Sequence, residues 1–255
     1  MIEKMISLAL KIMLLVFAVM IFSPVFLLIF TSVYKDGVFG FFGHIRFLLL
    51  SDHFYLGLKN SFLYAFVIST GQLVPMILMS FVFSKFKFKF KKTLYVLYAV
   101  ILLIPFQVLM LQNYYVLSLL KMTNRKIAVY ATQIFLPFGV IYFTQYLNTL
   151  PDNIIEAAQL DGASTAKIVF KIILPMAKKM ISVIFFLSFA DGWNIMEPVI
   201  MFITDSGDFP LSVMMREAIE QKSNYLSIAG IFCVLPLIIF FALTNIVSGG
   251  RRNDD

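Results

Sequence analysis

Residues 60–84 read NSFLYAFVISTGQLVPMILMSFVFS, twenty-five consecutive positions without Asp, Glu, Lys or Arg. A helix of that length spans roughly 37 Å, enough to cross a hydrocarbon core of about 30 Å. The run is continuous and does not alternate polar with apolar residues, so a barrel strand is excluded. A helix, which pairs its backbone groups internally, is what remains. Comparable charge-free intervals lie at 12–34, 93–120, 127–151 and 223–250, and an equally apolar stretch at 180–203 is interrupted by Asp191 and Glu197. The chain of 255 residues is 60% hydrophobic and 14% charged, whereas soluble domains carry about 25% charged residues. The sequence therefore predicts an all-α integral membrane protein in one transmembrane domain, 1–255. Its six transmembrane helices are expected at about 12–34, 60–84, 93–117, 127–147, 180–203 and 225–248.

Composition also removes several function classes. The one cysteine, Cys233, cannot form an intrachain disulfide, and one Cys with two His is too few for a clustered metal site. A net charge of +7 could suit nucleic acid, but in a membrane chain basic excess marks cytoplasmic loops, so no nucleic-acid partner is expected. The first apolar run follows Lys4 and Lys11 and shows no small-residue cleavage pattern after Phe30, so it reads as a retained helix. Placing the N-terminus inside puts thirteen Lys and Arg in the cytoplasm and eight outside, with the densest block in the short loop Lys85 to Lys92. N-in and C-in is the orientation this predicts.

The alternating Lys-Phe run from Lys85 to Phe90 sits between two spans, so its lysines are expected to snorkel to lipid headgroups and its rings to lie in the interface. The external segment 35–59, with Phe39, Phe41, Phe42, Phe47 and Phe54, is expected along the membrane or packed on the helices. His44 and His53, in the same segment, read as ordinary surface groups. Residues 204–222, with Asp205, Asp208, Arg216, Glu217, Glu220 and Lys222, read as a solvated surface facing a partner.

Between the fourth and fifth spans, Leu150 to Pro175 reads LPDNIIEAAQLDGASTAKIVFKIILP. Asp152 is placed to N-cap a short helix and Gly162 to close it. On that helix Ile154, Ile155 and Ala158 form one stripe and Glu156, Ala157 and Leu160 the adjacent one, with Asp161 at its end. Ser164 or Thr165 can start a second helix, with Ile168, Ile172 and Ile173 on an apolar face and Lys167 and Lys171 toward water, and Pro175 ends or kinks it. Two readings fit this elbow: a compact projection seated in a groove of another protein, or an amphipathic linker lying on the interface.

The string Glu156, Ala157, Ala158 followed by Gly162, and the Ile-x-Leu-Pro ending at Pro175, resembles the EAA loop of permease subunits in bacterial ABC importers. Asp161 before the glycine is similar to the sugar-importing branch. Asn60-Ser61, Pro105 and Trp193-Asn194 match further family elements in the same order along nearly the whole chain, and the length resembles the smaller permease of maltose-type systems. The tail departs from the family's Gly-x-x-x-Gly ending, since Gly249, Gly250, Arg251 and Arg252 lead into Asn253, Asp254 and Asp255.

The resemblance implies a type I ABC importer permease in a bacterial cytoplasmic (inner) membrane, importing a carbohydrate. Its partners would be a second homologous permease, two ATP-binding cassette ATPase subunits, an extracytoplasmic solute-binding protein and membrane lipids. Residues 150–175 would form the coupling loop, with Glu156, Ala157, Ala158, Asp161, Gly162 and Pro175 engaging the ATPase. No GxxxxGK[ST] phosphate loop occurs. No cofactor is therefore expected on this chain, which would be a transport subunit and not an enzyme, with ATP and Mg bound by the ATPase.

Charges at membrane depth cost at least about 2.5 kcal/mol, so Asp191 and Glu197 need water, a partner or an interfacial position. With Trp193 and Asn194 they are the candidate substrate-pathway residues, since sugars stack on indoles and bond to amides and carboxylates. The competing reading makes Trp193 and Asn194 packing or subunit-interface residues and sends Glu197 to the outer headgroups. Gln107, Gln112 and Asn113 are interhelical hydrogen bonders on the same scheme. Three other functions stand as alternatives: a permease for amino acids, peptides or phosphonates, an ion-coupled secondary transporter using Asp191 and Glu197, and a non-transporting membrane scaffold whose cytoplasmic loop docks a partner.

Overall fold

A computed structural model of the chain describes residues 2–220 and 226–248, and helices are the only regular secondary structure among them. The chain divides into two compact units, Met1–Tyr55 with Met215–Pro236, and Leu56–Met214 with Leu237–Asp255.

The first unit contains the helix Ile2–Leu49, which covers the expected first span and most of the segment 35–59 expected to be a loop. Gly37, at φ 71° and ψ 171°, breaks it into two pieces. A backbone there is open to glycine and strained for other residues, so the change of direction falls at that position. The external segment is thus largely helical.

The helix Asp52–Lys85, of which all but the first four residues belong to the second unit, supplies the expected second span, with Pro75 inside it. The fourth span is realised as Lys126–Gln133 and Pro137–Thr149. Pro137 has no N–H, so the carbonyl of Gln133 loses its helical donor. The Gln72 side-chain amide donates to that carbonyl at 2.6 Å, and the other end of the same carboxamide accepts from the Ser188 hydroxyl. One buried glutamine therefore repairs the break and ties three helices together, as a low-dielectric interior requires.

Two further expected spans are not single helices. The third, expected at 93–117, consists of Lys91–Ile101 and Phe106–Leu119, which meet at 95°. Pro105 sits at the break and precedes the second piece in an extended conformation, and its ring disfavours helical geometry at Ile104 before it. The fifth, expected at 180–203, ends as Lys178–Trp193, breaks at 194–196, and resumes as Glu197–Phe202 with Pro198 in its first turn. Before it, Thr165–Met176 meets Lys178–Trp193 at 81°. The sixth corresponds to Leu226–Ser248, with its expected first residue, Tyr225, outside the described residues. Among the described residues two helices are long and apolar enough to cross a membrane unaided, and up to four segments are if each bent pair counts as one.

Close packing places the fifth segment on the second. A β-carbon added at Gly192 would lie 2.8 Å from the Ala65 Cα, so the two backbones touch in the manner of small-residue membrane packing. Replacing Gly192 with Val should lower thermal stability in detergent by about 1–3 kcal/mol, because backbone must move. Gly71→Ala is the control, since its β-carbon would meet Ile134 at an ordinary 3.7 Å and should leave the melting temperature near wild type. Equal melting temperatures for both variants would contradict the contact.

Candidate functional site

The elbow 150–175 forms as two short helices, Asp152–Leu160 and Thr165–Met176. Asp152 does not cap the first. Pro151 precedes the helix in an extended conformation, and no side-chain cap is made. The Asp152 carboxylate instead accepts a hydrogen bond from the Lys85 ammonium at 2.7 Å, and that ammonium also donates to the Leu150 carbonyl at 3.0 Å. Lys85 is the last residue of the second span, so this charge-assisted clamp fixes the start of the elbow to a membrane helix. The hydrogen bond from Lys85 holds the Asp152 carboxyl below its ordinary range, followed by the charges of Lys85, Lys87 and Lys91.

The other end closes as expected from the glycine. Ala163 N–H donates to Ala158 C=O at 2.9 Å and Gly162 N–H to Gln159 C=O at 3.0 Å, with Gly162 at φ 75°. This is a Schellman closure, which satisfies helix-end carbonyls through a left-handed residue. Ser164 then caps the second helix by accepting from Lys167 N–H at 3.3 Å. A wide π turn over Val169–Ile173 follows, bringing Ile168, Val169 and Ile173 all into the core.

The two faces of the first elbow helix differ sharply. Ile155 is buried and Ala158 half-buried in one apolar cluster with Ile168, Ile173, Ala177, Phe143 and Leu147. Ala158, which the family resemblance assigned to partner contact, thus packs on its own protein. Glu156, Ala157 and Asp161 are exposed. Leu160 is 89% exposed, and a β-carbon at Gly162 would meet nothing within 4 Å. Pro175 is exposed beside the 81° bend.

The candidate pathway residues do not converge. Trp193 is 3% exposed and lies in a core cluster with Ala65 and Phe189, its ring 6.1 Å from that of Phe189. An indole so enclosed packs helices and offers no face to a sugar. Asn194 turns its amide back onto the Ala190 carbonyl at 2.9 Å, and Asp191 is exposed. Glu197 is exposed and accepts from the Gln107 amide at 2.7 Å. Gln107 follows the break at Pro105 and Glu197 follows the break at 194–196, so the pair joins two interrupted spans.

A second polar cluster was not expected from the sequence. The Lys126 ammonium donates to Asn60 Oδ1 at 2.9 Å, pairs with Asp208 at 2.9 Å, and lies 5.8 Å from the centre of the Tyr64 ring. The Asn60 amide donates to the carbonyls of Gly207 and Phe209, and Ser61 Oγ accepts from Leu211 N–H at 2.8 Å. Residues 207–211 are therefore fastened to the head of the second span, and only part of 204–222 is solvated surface. The signal available in the sequence was Asn60-Ser61, two polar residues opening an apolar run. Among the described residues no group of three His, Cys, Asp or Glu could hold a metal.

Residues 62–250 match the family described as binding-protein-dependent transport system inner membrane component. The chain belongs to this family. Among curated relatives, the sn-glycerol-3-phosphate transport system permease protein UgpE of Salmonella typhi is 30% identical over 61% of this chain and 55% of its own length. The arabinooligosaccharides transport system permease protein AraQ of Halalkalibacterium halodurans is 26% identical over 71% of this chain and 66% of its own. The matched stretch thus spans little more than half the length of UgpE.

Among solved structures, a chain of a bacterial ABC transporter involved in the import of the acidic polysaccharide alginate superposes with a TM-score of 0.81 at 16% identity, over 95% of this chain and 96% of that one. A chain of a bacterial alginate ABC transporter in complex with alginate pentasaccharide-bound periplasmic protein gives 0.75 at 16% identity, over 96% of this chain and 94% of that one. The fold is that of a type I ABC importer permease.

Because Lys85 lowers the Asp152 pKa, the clamp contributes stability that is present above the ordinary carboxylate value and lost as pH falls through the lowered one. Hydrogen exchange over residues 150–162, corrected for intrinsic rates, should be the same at pH 8 and pH 5 and faster in Asp152→Asn at both. A clamp that opens between pH 8 and pH 5 would refute the pairing.

Proposed function

We propose that this chain is a transmembrane subunit of a carbohydrate importer. In this reading it forms the translocation pathway with a second homologous permease and receives solute from an extracytoplasmic binding protein. Residues 150–175 couple it to two separate ATPase subunits that bind ATP and Mg. Six passes with both termini in the cytoplasm complete the arrangement, with the terminal residues 249–255 outside those described.

The observation that carries the reading is the division of the helix Asp152–Leu160 into an anchored face and an open one. Ile155 and the Lys85–Asp152 pair hold it to the membrane helices, while Glu156, Ala157 and the 89%-exposed Leu160 present charge, a small side chain and an apolar knob outward. Leu160 in water is costly, and a groove on a partner would remove it. Glu156 would face a basic group of the ATPase. A push on this face passes through the apolar cluster to the helices behind it, so closure of the ATPase dimer tilts them and alternates access by rigid-body movement.

The names of UgpE and AraQ and of the alginate transporter support sugars and their derivatives as the solute class over amino acids or peptides. Glu197 with Gln107 offers a carboxylate and a carboxamide where two spans are broken, and such interruptions supply polar groups to a membrane pathway. An ion-coupled carrier using Asp191 and Glu197 gains no support from this geometry, since Glu197 is engaged with Gln107 and the elbow would have no role.

The test is uptake in liposomes containing this chain, its companion permease, the ATPase and the binding protein. Leu160→Asp should reduce ATP-driven uptake at least about tenfold, as the loss of a central interface contact would, with membrane insertion and melting temperature unchanged. Undiminished uptake, or uptake that follows a proton or sodium gradient without the ATPase, overturns the proposal.

A further inference from the structure

The loop joining the second and third spans contributes Phe88 and Phe90 to an open cleft of about 480 Å³ that is also lined by Phe83, Lys92, Gln145 and Asn148. The segment 85–92 holds five lysines and no acid, and the structure spends most of them locally. Lys85 holds Asp152 and the Leu150 carbonyl. Lys91 donates to the carbonyls of Ser84 and Phe86 at the end of the second span. Lys89 sits 5.2 Å from the centre of the Phe90 ring. Lys92, on the cleft wall, meets no carboxylate or carbonyl acceptor among the described residues.

The lining of the cleft combines two chemistries. Its polar part combines the Lys92 ammonium with the carboxamides of Gln145 and Asn148, of which Asn148 Oδ1 accepts from Ser84 and Gln145 donates to the Tyr95 hydroxyl. Its apolar part is a run of rings, Phe83 standing 6.4 Å from Phe88 and 5.4 Å from Tyr95. The third span begins at Lys91 with no side-chain cap, so its first-turn N–H groups add positive potential at the polar end. A ligand that fits carries a compact negative group joined to hydrocarbon. The position between the ends of two spans puts it at the level of lipid headgroups.

The geometry points to a bound anionic glycerophospholipid of the cytoplasmic leaflet, its phosphate against Lys92, Gln145 and Asn148 and its acyl chains along the phenylalanines. Basic pockets at this depth attract anionic headgroups with about a fivefold gain per lysine. The inference rests on the proposed cytoplasmic placement of the elbow, to which the Lys85–Asp152 pair joins this loop. Lipid bound here would brace the loop that in turn holds the elbow.

Native mass spectrometry of the delipidated full-length chain, titrated with dioleoyl phosphatidylglycerol, dioleoyl phosphatidylcholine or inorganic phosphate, tests it. Phosphatidylglycerol should bind in preference to phosphatidylcholine, Lys92→Gln should weaken that binding about fivefold, and Asn148→Ala should weaken it in the same sense. Lys179→Gln, an exposed lysine outside the cleft, should change nothing, and circular dichroism should report equal helicity throughout. Equal binding of the two lipids, no effect of Lys92→Gln, or displacement of phosphatidylglycerol by equimolar inorganic phosphate would each overturn the lipid site. Uptake by the assembled importer is read separately: transport without lipid preference rejects this site alone, and lipid preference without ATP-driven transport rejects the importer reading alone.

Discussion

Burial of Ile155, Ile168, Val169 and Ile173 against Phe143, Leu147 and Ile184 is the contact on which the elbow depends. Each such side chain contributes about 1.5–3 kcal/mol when it leaves water completely. Several of them acting together make the elbow part of the same solid as the membrane helices behind it. The Lys85–Asp152 pair adds direction more than strength, since the carboxylate is exposed and exposed pairs contribute little. What results is a short lever with one face committed and one face open.

The same logic of satisfying every polar group explains the irregular parts of the spans. At Pro137 the orphaned carbonyl of Gln133 finds Gln72, and the fourth span holds its course. At Pro105 the chain turns through a right angle, and Gln107, just beyond, reaches Glu197. Where 207–211 meets the head of the second span, Asn60, Ser61 and Lys126 answer its carbonyls, its N–H and the Asp208 carboxylate. Each interruption carries its own hydrogen-bonding partner, drawn from a helix distant in sequence.

That distance decides what could be read from the sequence. The second and fourth spans were legible because hydropathy over twenty residues is a local property. The elbow was legible too, since Gly162 at a helix end and Ser164 before the next helix act within four residues. Asp152 misled because a carboxylate before an apolar stripe suits a cap, and only the fold brings Lys85 within 2.7 Å of it. Trp193 misled in the same way: a tryptophan beside an asparagine and two acids suggests a binding face until Ala65 and Phe189 close over it. Pro105 was visible, but whether a proline bends a span slightly or turns it by 95° depends on what packs at the corner. The cluster around Lys126, Asn60, Ser61 and Asp208 joins residues up to 150 positions apart in its contacts, and nothing periodic announces it.

What touches the open face of the elbow decides whether this chain is driven by a separate ATPase. Photo-crosslinking from a benzoylphenylalanine introduced at Leu160, in cells producing the whole transport system, addresses this most directly. The account predicts a single covalent product with an ATP-hydrolysing subunit, formed more strongly than from a label at half-buried Ala158. Products with lipid alone, or equal labelling from the two positions, would contradict it.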